Sequence, residues 1–487
     1  MSLTATYLII LVTAVAMLVS LLSPSRWLSE ACNISAGLID LGLSIDVVAT
    51  SYGHSRVAFH SLILVDSLDA WIMLCISIVF LGASTYSRGY MRREAPDRTL
   101  RGYHGLFAGF ALIMYLSAIQ NNPGLYWIAI DLSTLASALL IGYQRHSRGI
   151  EAAWKYLVIV SAGLSLALIG TVLFYYAGTF VYGSVYSMTW KSFAGMANRA
   201  DPGLLLVAFL LVLIGYGTKA GLAPMHTWLP DAHSEGPTPV SAMLSGALLN
   251  CAMMGIVRYL AVVRDTQIYR ISATSLVALG ALSLIIAALF ITRQNNVKRL
   301  AAYSSIEHMG IIAMGFGFGG PLGVLGALYQ IINHSLAKCA VFFGAGNVIA
   351  NSGSGKISKI RRVLDDYPVM GGLWLLAAVA ITGAPPFGLF LSELTIFRAG
   401  IASFNPWADA VLGVSLIVIF AGFMNQFRRM YFGPHNPGRG DRQRLQLTAT
   451  SVVPLGVAVA LVLVLGLWWP HSLWIYFQHI ATSLKGA

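Results

Sequence analysis

Charged residues are scarce in this chain. Of its 487 residues, only 10% are Asp, Glu, Lys or Arg, whereas 57% are hydrophobic. Because soluble domains carry about 25% charged residues, this composition excludes a soluble globular protein and predicts an integral membrane protein. The net charge of +12 does not indicate a nucleic-acid partner, since most of the basic residues lie in short segments between apolar runs.

Cysteine is also rare, and its spacing argues against two kinds of centre. The four cysteines stand singly, without a Cys-x-x-Cys motif, at positions 32, 75, 251 and 339. Iron–sulfur and zinc sites usually need closely spaced ligands. Residues 353–358 resemble a phosphate-binding loop only faintly, because Ile357 stands where Ser or Thr must follow the lysine. The chain also lacks a dinucleotide-binding fingerprint. We therefore predict no cofactor, no metal site and no active site of its own for redox or ATP chemistry.

Long apolar runs, by contrast, are abundant. A helix needs about 20 residues to cross a bilayer, so we predict an all-α polytopic membrane protein with about 14 transmembrane helices. The second predicted span is the weakest, because Asp40 and Asp46 lie inside it, and an interfacial segment is the alternative. The predicted spans are 4–22, 33–50, 61–86, 104–120, 122–141, 153–177, 203–224, 238–262, 272–292, 299–318, 322–350, 370–397, 407–432 and 449–469.

The distribution of the basic residues predicts the orientation in the membrane. With the N-terminus outside and every span crossing, 21 of the 31 lysines and arginines lie on the cytoplasmic side and seven lie outside. This asymmetry fits the positive-inside rule. We therefore predict a protein of the inner (cytoplasmic) membrane with both termini on the outer, periplasmic side. The asymmetry also supports the second span, because leaving that span out would reverse every later loop.

Spans four to eight and nine to thirteen look like two copies of one five-helix unit. Span seven is interrupted at Gly221 and Pro224, and span twelve is interrupted at Pro385 and Pro386. Because each unit has an odd number of helices, the second copy is inverted, and matched broken helices in inverted halves indicate a transport site. Two ordinary proline kinks are the alternative. The predicted parts are the N-terminal spans (1–103), the first repeat (104–262), the second repeat (263–432), and a basic loop with span fourteen (433–487).

Ionisable residues inside the predicted spans point to the movement of charge. Lys219 lies at the break of span seven, and Asp131 lies in the middle of span five. Such a residue costs about 2.5 kcal/mol or more to insert unless it is paired or solvated. We therefore predict an Asp131–Lys219 ion pair, whose making and breaking switches the proton affinity of the lysine. A static structural pair is the alternative.

Further ionisable residues extend this row into the second half of the chain. Span ten holds Glu307 as well as a histidine, and a histidine and a lysine on span eleven are four residues apart on one helical face. A single intramembrane histidine is more often a packed polar residue than a proton relay, but ionisable residues in several spans favour a relay. The predicted proton pathway comprises Asp131, Lys219, His226, Lys298, His308, His334, Lys338 and Glu393.

The segment between spans seven and eight contains His226, Asp231, His233 and Glu235. We interpret it as a proton entry funnel on the cytoplasmic side. A metal site and a simple proline-rich turn are the alternatives. Arg258, near the outer end of span eight, is interpreted as a cation that snorkels to the membrane surface.

Four stretches carry a resemblance to a known family. Residues 219–242 (KAGLAPMHTWLPDAHSEGPTPVSA), 297–305 (VKRLAAYSS), 333–338 (NHSLAK) and 391–394 (LSEL) resemble the signature of the antiporter-like membrane subunits of respiratory complex I and of multi-subunit sodium/proton antiporters. The resemblance covers most of residues 100–432. Within this superfamily, the His-Ser-Glu sequence in the first stretch is most similar to component F of the hydrogenase-4 type, a partner of group 4 membrane-bound hydrogenases and formate hydrogenlyases.

The resemblance implies roles for several residues, and the sequence departs from the family pattern at two positions. It implies that Lys219 is the central lysine of the seventh helix, that His334 and Lys338 bridge on the eleventh, and that Glu393 ends the row on the twelfth. Asp131 occupies the place of a fifth-helix glutamate; it is one methylene shorter, so a looser or water-bridged pair is expected. The residue at position 250 is asparagine, where complex I subunits often have a lysine, and it cannot carry a proton.

The resemblance also implies a function. The expected role is a proton-translocating subunit of a redox-driven complex, with other antiporter-like membrane subunits and a peripheral hydrogenase or quinone-reductase module as partners. Protons are the expected ion, with Na+ as the other candidate. The alternatives are a subunit of a multi-subunit cation/proton antiporter and a membrane scaffold, for example in inorganic carbon uptake.

Overall fold

The computed structural model describes residues 2–23, 25–94, 97–432 and 447–484. Most of the predicted basic loop, with Arg439, Arg442 and Arg444, lies outside the described residues, as does Lys485. The helices are α1 (Ser2–Leu22), α2 (Arg26–Ser51), α3 (Ser67–Glu94), α4 (Asp97–Ala118), α5 (Pro123–Ile141), α6 (Ser147–Tyr182), α7 (Trp190–Ala197), α8 (Pro202–Ala220), α9 (Trp228–Glu235), α10 (Thr238–Met243), α11 (Leu249–Val262), α12 (Tyr269–Ile291), α13 (Val297–Phe318), α14 (Gly320–Ser352), α15 (Val363–Asp366), α16 (Pro368–Ile381), α17 (Gly388–Ala402), α18 (Pro406–Tyr431), α19 (Ala449–Leu467) and α20 (His471–Ser483).

The helices confirm the predicted all-α membrane fold. In the described part of the chain, ten helical stretches are long and apolar enough to cross a membrane, and two shorter apolar helices accompany them. The more polar α13 and α14 are 22 and 33 residues long. The exact number of crossings, the inverted repeat and the division into parts stay predictions.

The second predicted span is a continuous helix of 26 residues, α2, and it is among the membrane-spanning candidates. Its weakness in the sequence came from Asp40. That side chain is fully buried, and one of its carboxyl oxygens accepts a 2.8 Å hydrogen bond from the Thr13 hydroxyl of α1. The polar group is thus turned toward protein, and the crossing of the membrane by α2 stays a prediction.

Polar capping residues define where several functional helices begin. The Asn122 side chain accepts hydrogen bonds from the backbone N–H groups of Gly124 and Leu125, and Pro123 occupies the first turn of α5. Asn296 caps α13 in the same way. Side-chain oxygens at this position satisfy N–H groups that have no partner inside the helix. The helices that carry Asp131 and His308 therefore begin at residues whose side chains satisfy their first backbone N–H groups.

The helix bundle has two opposite faces, which differ in the elements that lie there. At one end, the strands β1 (Arg56–Ala58) and β2 (Ile63–Val65) form an antiparallel hairpin, and α20 packs nearby through a hydrogen bond from the Tyr476 hydroxyl to the Ser67 carbonyl. We call this end the hairpin face. At the opposite end, Arg299 pairs with Asp231 at 2.9 Å; we call it the basic face.

Several elements were not predicted. They are the β1–β2 hairpin, the short helix α7, the final helix α20, and a π-helical segment at Leu244–Leu248 within predicted span eight. The third predicted span began at 61, whereas α3 begins at Ser67, after the hairpin. These elements are short, so they leave no long apolar run in the sequence, and only their packing stabilises them.

Arg258 does not snorkel, and that interpretation is wrong. Its guanidinium lies 2.7 Å from a carboxyl oxygen of Asp66 and 2.6 Å from one of Asp69. The arginine side chain is only 7% exposed. Asp66 follows β2 directly and Asp69 lies in the first turn of α3, so the hairpin brings both carboxylates under the arginine of α11. A buried arginine is stable there because it is paired and hydrogen-bonded.

Candidate proton pathway

Helix α8 ends beside Lys219, as predicted. The Gly221 residue takes φ +76°, a left-handed conformation that glycine adopts at little cost at helix C-termini. The Thr218 carbonyl accepts a 2.8 Å hydrogen bond from the indole N–H of Trp228. The backbone N–H of Ala223 donates to the Ser283 hydroxyl at 2.9 Å. Side chains of neighbouring elements thus bond backbone groups on both sides of the break at Gly221 and Pro224, as a break at membrane depth requires.

Lys219 is fully buried, and two hydroxyl groups hold its amine. The Nζ atom donates to Thr134 Oγ1 at 2.8 Å and to the Tyr156 hydroxyl at 2.6 Å. It also lies 5.1 Å from the centre of the Tyr156 ring, within cation–π range. The same hydroxyl contacts Ser137 Oγ at 2.6 Å. Lys219 therefore lies at one end of a hydroxyl chain between α5, α6 and α8.

The sequence did not reveal these two partners. Thr134 follows Asp131 by three residues, one helical turn, so the shared face was available as a signal. Tyr156 lies on a different helix, and its polar end carries no local pattern that would single it out. The tertiary packing of α6 against α8 brings it to Lys219.

Asp131 and Lys219 are neighbours without a direct ion pair, an arrangement of the looser kind that the shorter aspartate leads us to expect. Among the described residues, no carboxyl oxygen of Asp131 lies within the 4.0 Å limit of a salt bridge to Lys219 Nζ. The half-buried carboxyl group is still close enough to interact electrostatically with the lysine. Thr134, one turn along α5 from Asp131, contacts the amine instead.

The second half of the row begins at Lys338 on α14. Its amine donates to Ser304 Oγ at 2.5 Å and to the Ala301 carbonyl at 2.9 Å, both on α13. Glu307 lies one turn further along α13 from Ser304. Both carboxyl oxygens of Glu307 are buried without a hydrogen-bond partner in the described structure. An acid and a base are thus both buried where α13 and α14 pack together.

Two histidines continue this row toward the second helix break. The rings of His334 and His308 are 5.3 Å apart between their centres. Both ring nitrogens of His334 lack hydrogen-bond partners among the described residues. The His308 Nε2 atom lies 3.0 Å from the carbonyl oxygen of Ile381, the last residue of α16. The Ile381 carbonyl would normally accept from the N–H four residues later, but that residue is Pro385, which has none. The ring N–H of His308 bonds this carbonyl instead, as the Trp228 indole N–H bonds the Thr218 carbonyl at the first break.

Glu393 ends the row on α17. One of its carboxyl oxygens lies 3.9 Å from His308 Nδ1 and 3.4 Å from the amide nitrogen of Gln330. The carboxyl group also contacts Gly383, where φ is +66°. A side chain at position 383 would collide with this carboxyl group, so glycine makes room for Glu393. Gln330 was not predicted, since an uncharged residue in α14 gives no signal of its own.

A polar but non-ionisable contact separates the two halves of the row. The Asn250 amide nitrogen donates to the Ser335 hydroxyl at 3.0 Å and to the Gly246 carbonyl at 2.9 Å. The Gly246 residue belongs to the π-helical segment, and Ser335 follows His334 directly. Within the described residues, the Asn250 carbonyl oxygen has no hydrogen-bond partner. A proton crossing here would need water, as expected for an asparagine at position 250.

The predicted entry segment lies at the basic face and is not joined to Lys219 by direct contacts. His226 lies in a short 3-10 turn, mostly buried, and its Nδ1 atom has no partner in the described part of the chain. The Lys298 amine donates to the Gly236 carbonyl at 2.8 Å. Asp231 pairs with Arg299 instead of joining a metal site, and the described residues contain no group of three His, Cys, Asp or Glu side chains that could hold a metal ion.

The residues just described lie in a part of the chain that matches a known protein family. Residues 121–420 match the family described as NADH:quinone oxidoreductase/Mrp antiporter, TM. This match covers more than half of the chain. The chain belongs to that family. As a family member, it contains both helix breaks and the row from Asp131 to Glu393 within the matched residues.

Individual relatives narrow this assignment. The hydrogenase-4 component F homolog of Methylacidiphilum infernorum is 35% identical over 431 residues, which cover 87% of this chain and 89% of the relative. The NADH-quinone oxidoreductase subunit N of Halorhodospira halophila is 30% identical over 421 residues, which cover 85% of this chain and 82% of the relative. The predicted family and the resemblance to the hydrogenase-4 type are both confirmed.

Solved structures share the fold. A chain of the membrane-bound sulfane sulfur reductase, an archaeal respiratory membrane complex, superposes with a TM-score of 0.87 at 21% identity, covering 99% of this chain and 97% of the other. A chain of the Mrp complex from a Dietzia species gives the same TM-score at 17% identity and the same coverage. Both similar chains are parts of multi-subunit complexes.

Proposed function

We propose that this chain is a proton-translocating, antiporter-like membrane subunit of a redox-driven complex of the hydrogenase-4 or complex I type. The observation that carries the proposal is the buried row of Lys338, His334, His308 and Glu393 inside the helix bundle. Intramembrane ionisable groups are costly and mark ion pathways. The relatives support a redox-driven complex, because they are named as parts of hydrogenase-4 and of NADH-quinone oxidoreductase.

The two helix breaks support two inverted five-helix repeats within about fourteen crossings. Each break places an ionisable side chain beside it, Lys219 at the end of α8 and Glu393 against Gly383. In inverted-repeat transporters, broken helices form the site itself. The proton would leave Lys219, cross the Asn250 region through water, and reach Glu393 along the row from Lys338.

The driving step in this mechanism is electrostatic. When a neighbouring subunit changes the charge beside Asp131, the proton affinity of Lys219 changes. Two unit charges about 4 Å apart in an effective dielectric near 20 interact by about 4 kcal/mol, and by about half of that at twice the distance. At the longer Asp131–Lys219 distance, the interaction is therefore still large enough to change the proton affinity of Lys219. Reprotonation would come from the basic face past His226 and Lys298.

The charge distribution supports an orientation with the basic face in the cytoplasm and both termini on the periplasmic side of the inner membrane. Salt bridges and hydrogen bonds of Arg92, Lys298 and Arg299 cluster at that end. The partners would be other antiporter-like membrane subunits and a peripheral hydrogenase or quinone-reductase module, with protons rather than Na+ as the transported ion. The chain would use no cofactor of its own.

Proton pumping by the complete complex in reconstituted vesicles tests the proposal. The Lys219→Ala variant should lose pumping, while electron transfer persists when a protonophore relieves the gradient. Lys191→Ala, which removes an exposed lysine of α7, is the matched control and should pump normally. Normal pumping by Lys219→Ala would overturn the proposal.

The likeness to the Mrp complex favours a second candidate, a subunit of a cation/proton antiporter. Sodium-dependent proton exchange in vesicles without any electron donor would select it. A membrane scaffold is the remaining alternative. In that case, substituting Asp131 and Lys219 together would leave the activity of the complex unchanged.

A further inference from the structure

Gln330 occupies an unusual place between two members of the buried row. It is fully buried on α14, one helical turn before His334, and it reaches both α13 and α17. Its amide nitrogen lies 2.9 Å from His308 Nδ1 and 3.4 Å from the Glu393 carboxyl oxygen. Its amide oxygen accepts a hydrogen bond from the Ser392 hydroxyl. The side chain thus stands where a proton would pass from His308 to Glu393.

The hydrogen bonds around His308 define its protonation. The Ile381 carbonyl can only accept, so His308 Nε2 carries the hydrogen that is donated to it. In the neutral ring, Nδ1 then has a lone pair, and this lone pair accepts from the Gln330 amide nitrogen. With the amide in this orientation, Nδ1 cannot take up a proton, because a second hydrogen there would face the hydrogens of the amide.

The opposite amide orientation is also chemically satisfied. If the amide turns by about 180°, its oxygen faces Nδ1 and can accept from a protonated ring. The amide nitrogen then faces Ser392, whose hydroxyl can turn to donate to the Leu389 carbonyl, 2.9 Å away. The first orientation suits the neutral ring and donates to Glu393, whereas the turned orientation suits the protonated ring and leaves the Glu393 carboxylate without the amide N–H, so the amide orientation and the protonation of His308 change together.

We propose that Gln330 is a gate, a positioning residue whose amide orientation decides whether His308 can receive a proton and pass it to Glu393. A proton reaching the ring must bind Nδ1, because Nε2 already holds the hydrogen donated to Ile381. It leaves Nδ1 for the Glu393 carboxylate, 3.9 Å away here, as the amide turns back and the gap closes to hydrogen-bond distance or is bridged by one water, and the ring returns to its neutral form. The amide itself neither gains nor loses a proton.

The other ionisable groups around this gate are few. Helices α12 and α11, which also pack against α13, carry charged side chains only near their hairpin-face ends, at Arg270 and Arg258, and α16 carries none. His308 has the His334 ring and Glu393 beside it, and Lys338 of α14 interacts electrostatically with both histidines. His233 of α9 interacts with His334, and Glu307, next to His308 on α13, interacts with Glu393 and Lys338. His334 is therefore the proton donor next to the gate, and Glu393 is the proton acceptor.

Passive proton conduction tests the gate without any electron donor. Complete complexes are reconstituted in vesicles, and a potassium diffusion potential drives protons inward. Gln330→Met keeps the side-chain length and removes both hydrogen-bonding groups, so His308 and Glu393 face each other directly, and proton conduction should rise at least tenfold. Gln330→Glu supplies an acceptor that holds the hydrogen on Nδ1, so it should lose pumping without raising conduction.

A second substitution separates a gate from general damage. The conduction of Gln330→Met should fall to the wild-type level when Glu393→Gln is added, because the proton then has no acceptor. Conduction that stays at the wild-type level in Gln330→Met, or that persists in the double variant, would overturn the gate. The gate rests on the proposed function, but the conduction assay uses no electron donor. A failure of Lys219→Ala to stop pumping would therefore overturn the proposed function without affecting this result.

Discussion

The Tyr156 hydroxyl lies 2.6 Å from the Lys219 amine, whereas Asp131 makes no direct ion pair with it. The lysine is therefore held first by hydroxyl groups and only at longer range by a carboxylate. This arrangement suits a residue that must exchange its proton, because a hydroxyl can accept from the ammonium and donate to the free amine. A tight buried ion pair would lose several kcal/mol on breaking.

We expect Tyr156→Phe to lower proton pumping at least tenfold. The substitution removes one hydrogen bond to a charged group, worth about 1.5–3 kcal/mol, and about 1.4 kcal/mol corresponds to a tenfold change in rate. Electron transfer measured with a protonophore should stay within about twofold. Tyr176→Phe, which removes a hydroxyl from an exposed tyrosine of the same helix α6, is the control. Equal pumping by the two variants would contradict the role of Tyr156.

We expect Asp131→Glu to keep pumping within about twofold and Asp131→Asn to lower it about thirtyfold. The added methylene brings the carboxylate closer to Lys219, whereas the amide removes the long-range charge interaction of about 2 kcal/mol. Asp46→Asn, at a half-buried position of α2, is the control and should have no effect. The measurement is the initial rate of vesicle acidification. If Asp131→Glu were the weaker pump of the two Asp131 variants, the electrostatic role would be wrong.

We expect Gly383→Ala to abolish pumping while Gly372→Ala leaves it unchanged. At position 383 a new methyl group would collide with the Glu393 carboxyl group, and φ is +66°, a conformation that costs an alanine about 1–2 kcal/mol. At position 372 on α16, a methyl group would meet open space. Vesicle pumping and the amount of assembled complex are measured for both. Normal pumping by assembled Gly383→Ala would show that the Glu393 position is not critical.

We expect Arg258→Met to destabilise the protein by about 3–5 kcal/mol, the usual effect of leaving buried carboxylates without their partner. Thermal unfolding of the purified protein in detergent, followed by circular dichroism, measures the change. Arg270→Met, at an exposed position of α12, controls for the loss of an arginine. A melting temperature equal to that of the control would mean that Asp66 and Asp69 have other partners in the assembled protein.

Much of the fold was predictable from the sequence because the bilayer imposes a length on each apolar run. The predicted spans 4–22 and 122–141 coincide closely with α1 and α5. The break after Lys219 was predictable as well, since Gly221 and Pro224 end a helix through their own backbone chemistry. The β1–β2 hairpin and α20 were missed, because a short element leaves no comparable pattern.

The sequence by itself determined that this is a membrane protein, where its apolar helices run and break, and which ionisable residues are kept in them. Only the tertiary structure decided which side chains meet. Lys219 contacts a tyrosine 63 residues away, Arg258 pairs with Asp69 across 189 residues, and Gln330 comes between His308 and Glu393. The physical reason is that span positions follow from local hydrophobicity and backbone chemistry, whereas side-chain partners follow from the packing of helices that are distant in the chain.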